Sequence, residues 1–464
     1  MSPRRIHFVS LGCPKNRVDS EVMLGVSDGA GYELTAAPED ADVIVVNTCG
    51  FIESAKQESI ETILELSDLK QEGRCERLVV AGCLSQRYPD QLASEMPEVD
   101  HFLGSSDMLK LGPILQLDRD ARGQRMLVGD PADYIFKLSD PRRLSMGSHS
   151  AYVKIAEGCS RKCSFCAIPS FRGTQRSRTV ADVVGEVERL VAGGTAEINL
   201  ISQDTIAYGR DLDGRPSLTD LVRALCEVDG LRWLRLFYLY PEAIDDELLS
   251  LLAADNPLRA YVDMPFQHAS DDMLKRMRRG YRARRQRELV ERLRTAVPDV
   301  SMRTAFIVGH PGETDDDFAQ LLELVRWGRF QHVGVFRYSH EDGTHSGTMD
   351  DLVDDGTAAA RYEELMATQR TISGEHLQAL VGQELDVLVE GESEESELLL
   401  QGRHGGQAPE VDGAVHLTNG AAQPGDIRRA LITHAGDYDL VGDLSCGAED
   451  PKTAEQARRR LPLA

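Results

Sequence analysis

Three cysteines constrain this chain more than any other feature. They lie in Gly158-Cys159-Ser160-Arg161-Lys162-Cys163-Ser164-Phe165-Cys166, at spacing C-x3-C-x2-C, just after the apolar run Tyr152–Ala156. A loop with this spacing can wrap an inorganic cluster so that three thiolates reach three irons. A structural zinc site would want a fourth protein ligand, and only His149 lies close by in sequence. The spacing therefore favours an iron–sulfur cluster. Three cysteines leave one iron of a [4Fe-4S] cluster open, and an open iron can chelate a ligand that carries both an amine and a carboxylate.

The chain holds nine cysteines in 464 residues. Their number is odd and their grouping is not that of a disulfide framework, so they read as reduced thiols that serve metal. No apolar run approaches the ~18 residues of a membrane span. The first ten residues read as a strand rather than a leader. These features imply a cytoplasmic protein with no membrane contact. The net charge of −24 argues against bulk nucleic-acid binding and suits a basic partner.

Residues 1–115 alternate short apolar runs with helical patterns: strands at 5–11, 42–47, 77–81 and 101–104, helices at 18–26, 52–66 and 85–96. This order implies an α/β, flavodoxin-like parallel sheet with helices on both faces. One cysteine follows each of the first three main strands, in Leu11-Gly12-Cys13-Pro14, Asn47-Thr48-Cys49-Gly50 and Ala81-Gly82-Cys83-Leu84. The carboxyl ends of parallel strands share one rim, where ligands bind. Cys13, Cys49 and Cys83 are therefore expected to converge, each near a helix N-terminus that favours thiolate. Cys75, Cys226 and Cys446 show no such placement.

Residues 116–147 form a linker with a hairpin-like run at 125–128 and 135–138. Residues 148–375 repeat strand then helix six times, too few for a closed eight-fold barrel and suited to a partial (β/α)6 barrel. Residues 376–445 read as four short strands in a small antiparallel β-barrel, OB-like. This stretch carries 13 Asp/Glu against 3 Arg, so about −10. The tail 446–464 is polar and reads as disordered.

The C-x3-C-x2-C loop after a first strand resembles the signature of the radical S-adenosylmethionine enzymes. The whole layout resembles the methylthiotransferases, with the small barrel similar to a TRAM domain. Within that group Ser10-Leu-Gly-Cys13-Pro-Lys15-Asn16-Arg-Val-Asp19-Ser-Glu21, Asn47–Ile52, Ala55–Ile60 and Gln203-Asp204-Thr205 resemble the RimO family. The family modifies an aspartate β-carbon in the twelfth protein of the small ribosomal subunit (S-twelve).

The resemblance implies two [4Fe-4S] clusters. Cys159, Cys163 and Cys166 would hold the one that binds S-adenosylmethionine. Cys13, Cys49 and Cys83 would hold an auxiliary one that accepts the incoming sulfur. It also implies an electron donor, a sulfur donor, a monomeric enzyme, and recognition of S-twelve or the small subunit through the acidic TRAM domain. Ser202, Gln203, Arg303 and Gly309 are the candidate S-adenosylmethionine contacts. Each also has a plain structural reading, as a polar loop, a strand-face arginine or a turn glycine before the helix cap Thr314. Pro265–His268 could line the substrate space, although His268 suits a structural role as well. Seven arginines in 276–287 read as a solvated helix face or an RNA contact.

Two other readings compete. A tRNA adenosine methylthiotransferase of the MiaB kind would want a more basic barrel. A non-catalytic two-cluster electron carrier would want four cysteines per cluster.

Overall fold

The computed structural model describes residues 3–444 except 73, 119–120, 122, 146, 242–243 and 394–395. The chain divides into two compact units, Met1–Gln369 and Arg370–Ala464. The polar tail and Cys446 lie outside the described residues.

The first unit contains two six-stranded parallel sheets. Strands β1 (Arg5–Ser10), β2 (Glu33–Leu34), β3 (Val43–Thr48), β4 (Arg77–Gly82), β5 (His101–Leu103) and β6 (Met126–Leu127) are ordered β2-β1-β3-β4-β5-β6. That is the flavodoxin-like order with one strand added. β3 and β4 are buried along their whole length. Their alternation splits the core in two, because successive side chains leave opposite faces. Val43, Val45, Val79 and Ala81 pack with Val22 and Met23 on one face. Ile44, Val46, Leu78 and Val80 pack with Ile63 and Leu66 on the other.

The sequence reading differs here in two places. The single helix expected over 85–96 is two, Cys83–Arg87 and Pro89–Glu95, with Tyr88 at φ −130°, ψ 48° between them. Proline lacks the helical N–H and pushes the residue before it out of the α region. The expected hairpin is absent as well. Residues 126–127 add to the sheet edge parallel to β5, where unpaired backbone groups are available. Phe136, from its second arm, is instead buried in the first core.

The second sheet uses β7 (Ser150–Lys154), β10 (Glu197–Ile201), β11 (Trp233–Leu236), β12 (Leu258–Asp263), β13 (Ser301–Val308) and β14 (His332–Arg337), in the order β14-β13-β12-β11-β10-β7. All neighbours are parallel and the edges stay open. Such a partial barrel presents its ligand face at the strand carboxyl ends. A short antiparallel pair, β8 (Ala156–Glu157) and β9 (Arg176–Ser177), brackets the cysteine loop.

The second unit contains a closed barrel of β15 (Glu384–Ser393), β16 (Ser396–His404), β17 (Val415–Thr418), β18 (Ile427–Ala435) and β19 (Leu440–Leu444). Only four of these were legible in the sequence. β19 contains Gly442 and Asp443 and has little strand propensity. It is fixed by pairing parallel to β17 and antiparallel to β18, with Leu440 and Leu444 in the barrel core. Among the described residues no helix is long and apolar enough to cross a membrane.

Candidate functional site

The loops that carry the three dispersed cysteines touch because three glycines leave them room. Gly12 has φ +89°, and a Cβ there would lie 2.9 Å from Cys49 Cβ and 3.1 Å from its Sγ. A Cβ on Gly50 would lie 2.9 Å from the Cys83 carbonyl. Gly82, at φ +101°, leaves no room beside Asn47 Oδ1 and Thr48. Only glycine tolerates both that backbone and that crowding. Asn16, fully buried, ties the loops together by donating from Nδ2 to Leu11 O at 3.1 Å and Thr48 O at 2.9 Å.

Cys159, Cys163 and Cys166 are set by local turns. Gly158 (φ +78°) packs on the carbonyls of residues 172–174, and Cys159 N–H donates to Gly173 O at 3.0 Å. Cys166 N–H turns back onto Cys163 O at 3.3 Å. Arg279 Nη1 lies 3.3 Å from Cys163 Sγ, so one of the seven clustered arginines is buried here rather than solvated. The loop is also braced by Ser164, whose O accepts from Ser346 N–H and whose Oγ lies 2.8 Å from Ser346 Oγ. Ser346 in turn contacts His310 Nε2 at 2.8 Å.

The carboxyl rims of the two sheets lie against each other. Cys83 packs with Ala167 and Phe171, just past Cys166. Arg172 lies 3.1 Å (Nη2) and 3.3 Å (Nε) from Cys83 Sγ. It also donates to Asp19 Oδ2 at 2.9 Å, Glu157 Oε1 at 3.3 Å and Asn16 Oδ1 at 2.5 Å. Lys154 bonds Asp19 and Glu157. Two further clamps hold the same junction. Arg87 and Lys56 converge on Glu341 at 2.6 and 3.1 Å, and Arg142 bridges Glu21 and Glu186. Burial alone would raise the Glu157 carboxyl, but Lys154 and Arg172 outweigh it and hold Glu157 far below the usual carboxylate range. Apart from Asn16, Asp19, Glu21 and Lys56, which lie in the family motifs, none of these bracing residues stood out in the sequence. The available signal was the first of those motifs, a run of polar residues opening a helix whose first turns are almost wholly buried.

The candidate S-adenosylmethionine contacts lie on the second sheet's rim. Gln203 Nε2 donates to Glu157 Oε1 at 2.9 Å, while its Oε1 is buried with no partner. Ser202 is buried and shares a hydrogen bond with Thr205 at 3.1 Å. Arg303 Nη1 lies 3.8 Å from Asp263 Oδ1 with its side chain partly open. Gly309 (φ +74°) packs on Ala358, and its N–H donates to Glu313 at 2.6 Å. Thr314 and Asp317 form a capping box. His268 is fully buried on Glu313 at 2.9 Å, a structural pair.

The donor set fits iron–sulfur clusters. Burial pushes the Cys49 and Cys166 thiols up to about 12 and Cys83 and Cys159 up to about 11, with repulsion from thiolates of the same set adding to it. Burial disfavours the free thiolates here, and a strongly positive partner such as iron would offset that cost. Among the described residues no three or more His, Cys, Asp or Glu side chains are arranged for one metal ion. In a cluster each thiolate meets a different iron, so they need not share a point. A fourth thiol is absent from both sets among the described residues. Cys75 precedes β4, at the opposite end of that strand from Cys83, and bonds Arg77 O at 3.3 Å. Cys226 ends a helix beside Asn256.

Three family models match: Uncharacterized protein family UPF0004 over residues 5–104, the Radical SAM superfamily over 153–325 and the TRAM domain over 381–444. The chain is 59% identical to the ribosomal protein uS12 methylthiotransferase RimO of Sorangium cellulosum (strain So ce56), covering 100% of this chain and 97% of that one. It is 51% identical to the protein of the same name from Anaeromyxobacter sp. (strain Fw109-5), covering 100% and 96%. Among solved structures it resembles the radical S-adenosylmethionine methyltransferase TsrM from Kitasatospora setae, with TM-score 0.55 and 15% identity over 80% of this chain and 89% of that one. That last likeness is one of fold. Full-length identity at this level places the chain in the RimO family, the ribosomal protein uS12 methylthiotransferases of the radical S-adenosylmethionine superfamily.

Proposed function

We propose that this chain attaches a methylthio group to the β-carbon of an aspartate in ribosomal protein uS12. Cys159, Cys163 and Cys166 would hold one [4Fe-4S] cluster together with S-adenosylmethionine, and Cys13, Cys49 and Cys83 a second. The observation that supports this reading is that Cys83 packs on Ala167 and Phe171, just past Cys166, and on Arg172, in a chain 59% identical over its full length to a uS12 methylthiotransferase. When bound, these groups supply one-electron reduction, hydrogen abstraction from an unactivated carbon, and a held sulfur.

The protein's own part is to hold, orient and exclude water. The Arg172–Asp19–Glu157–Lys154 network and the Arg87–Glu341 and Arg142–Glu21 pairs lock the two sheets rim to rim. Gln203, with its unpartnered buried oxygen, and Ser202, Arg303 and Gly309 are the groups available to S-adenosylmethionine. Arg303 suits its carboxylate. An electron donor and a sulfur donor are required besides. The barrel charge of about −10 suits a basic ribosomal protein and would repel an RNA backbone, so the tRNA reading is disfavoured. Among the described residues neither set has a fourth thiol beside it, which disfavours a simple electron carrier.

The test is to incubate the reconstituted protein with S-adenosylmethionine, a reductant and sulfide, offering uS12 and tRNA in parallel. uS12 should gain the mass of one methylthio group at an aspartate. Modification of tRNA alone would overturn the reading.

A further inference from the structure

Lys15 sits two residues after Cys13, in the first turn of the helix Pro14–Gly29. It is only 7% exposed. Among the described residues it makes no hydrogen bond and no ion pair; its ammonium stands 3.1 Å from the centre of the Tyr238 ring. The other buried cations of this junction are paired: Arg172 with Asp19 and Glu157, Lys154 with the same two, Arg87 with Glu341 and Arg142 with Glu21. Cys13, Asp263 and Glu157 act electrostatically on Lys15, and none forms an ion pair with it among the described residues. A desolvated ammonium with only an aromatic face for company is costly unless an anion joins it.

The position is specific. Lys15 belongs to the first sheet's rim, beside one cysteine set. Tyr238 belongs to the second rim, immediately past β11, with its N–H donating to Asp263 Oδ2 at 3.0 Å. Tyr238 has φ +57°, a backbone rare for a bulky residue and typical of functional sites. The ammonium is thus placed between the two halves, where a carbon acted on by both must lie.

We propose that Lys15 reads the carboxylate of the residue being modified. This rests on the reading of the substrate as an aspartate. The carboxylate is bonded to the β-carbon, so one charge-assisted hydrogen bond fixes the reacting carbon one bond away. A neutral side chain or a base would leave the ammonium buried and unpaired, so Lys15 sets specificity as well as position.

The test uses the full-length, cluster-loaded protein and two uS12 substrates, natural and with the target Asp replaced by Asn. Binding is read by anisotropy of a labelled substrate and turnover by mass. The wild-type protein should bind the Asp substrate about tenfold or more tighter than the Asn one. Lys15→Met should bind the two alike, and Lys15→Arg should restore the preference in part. An undiminished Asp-over-Asn preference in Lys15→Met overturns the inference. So does a raised KM for S-adenosylmethionine with unchanged uS12 binding, or loss of cluster iron in both variants. If the wild-type protein modifies tRNA and not uS12, it is the underlying reading that has failed.

Discussion

The two cysteine sets reach similar chemistry by opposite routes. Cys159, Cys163 and Cys166 span eight residues, and one short loop carries all three. Cys13, Cys49 and Cys83 come from three crossovers, and only the parallel sheet makes them neighbours. A contiguous set is specified by spacing and tolerates change in the surrounding sheet. A dispersed set inherits its geometry from strand register, glycine contacts and whatever braces the rim. It should therefore be more sensitive to distant substitutions.

The largest effect tests whether the sets are separable. Cys159→Ala should abolish formation of 5′-deoxyadenosine and methionine. Cys83→Ala should keep that reaction, lose about half of the bound iron and give no methylthiolated uS12. Equal loss of 5′-deoxyadenosine in both variants would break the division of labour.

Next in size is the brace of the dispersed set. Arg172→Met leaves Cys83, Asp19 and Glu157 without their shared guanidinium. Stripping a buried pair of one partner costs about 3–5 kcal/mol, readable as a fall in the urea midpoint at unchanged slope. Arg279→Met, beside Cys163, should cost less, because it faces a thiol and the Pro265 carbonyl rather than two carboxylates.

The contiguous loop has its own sensitivity, to acid. His310 is fully buried and braces Ser346 and, through it, Ser164. Burial lowers its folded-state value to about 4, against an unfolded value of about 6.5. The unfolded chain therefore takes up the proton first, and stability is lost as pH falls from about 6.5 towards 4. The loss approaches about 3 kcal/mol at the lower end. Denaturant melts of His310→Gln should be flatter over that window. Parallel curves for wild type and variant would show that His310 is not the titrating brace.

The smallest effect is at Gly50. A methyl there would stand 2.9 Å from the Cys83 carbonyl, so Gly50→Ala should cost about 1–3 kcal/mol and reduce iron in the dispersed set only. Gly374, with open space around its Cβ position, is the matched control and should lose nothing on change to Ala.

Much of the fold was legible because the main strands of the two sheets are short apolar runs with helices between, whereas the two-residue edge strands β2 and β6 were not read as strands of the sheet. β10 and β13 lie where the pattern places them. β19 was not, since Gly442 and Asp443 carry no strand signal and its pairing comes from β17 and β18. The site divides the same way. Six cysteines were found by spacing and by their position after strands. Arg172 and Glu341 were not, because their buried ion pairs with Asp19 and Arg87 join residues over a hundred positions apart and leave no periodicity.

By itself, then, the sequence determined what can be written in local terms: a three-thiol loop, three cysteines after three strands, and an acidic small barrel. The tertiary structure alone decided that the two rims meet, that Arg172 and Lys154 neutralise Asp19 and Glu157 between them, and that Lys15 faces Tyr238 with no ion pair among the described residues. The reason is physical. Spacing fixes which groups one turn can bring together, whereas burial and the pairing of buried charge depend on which distant segments pack against it.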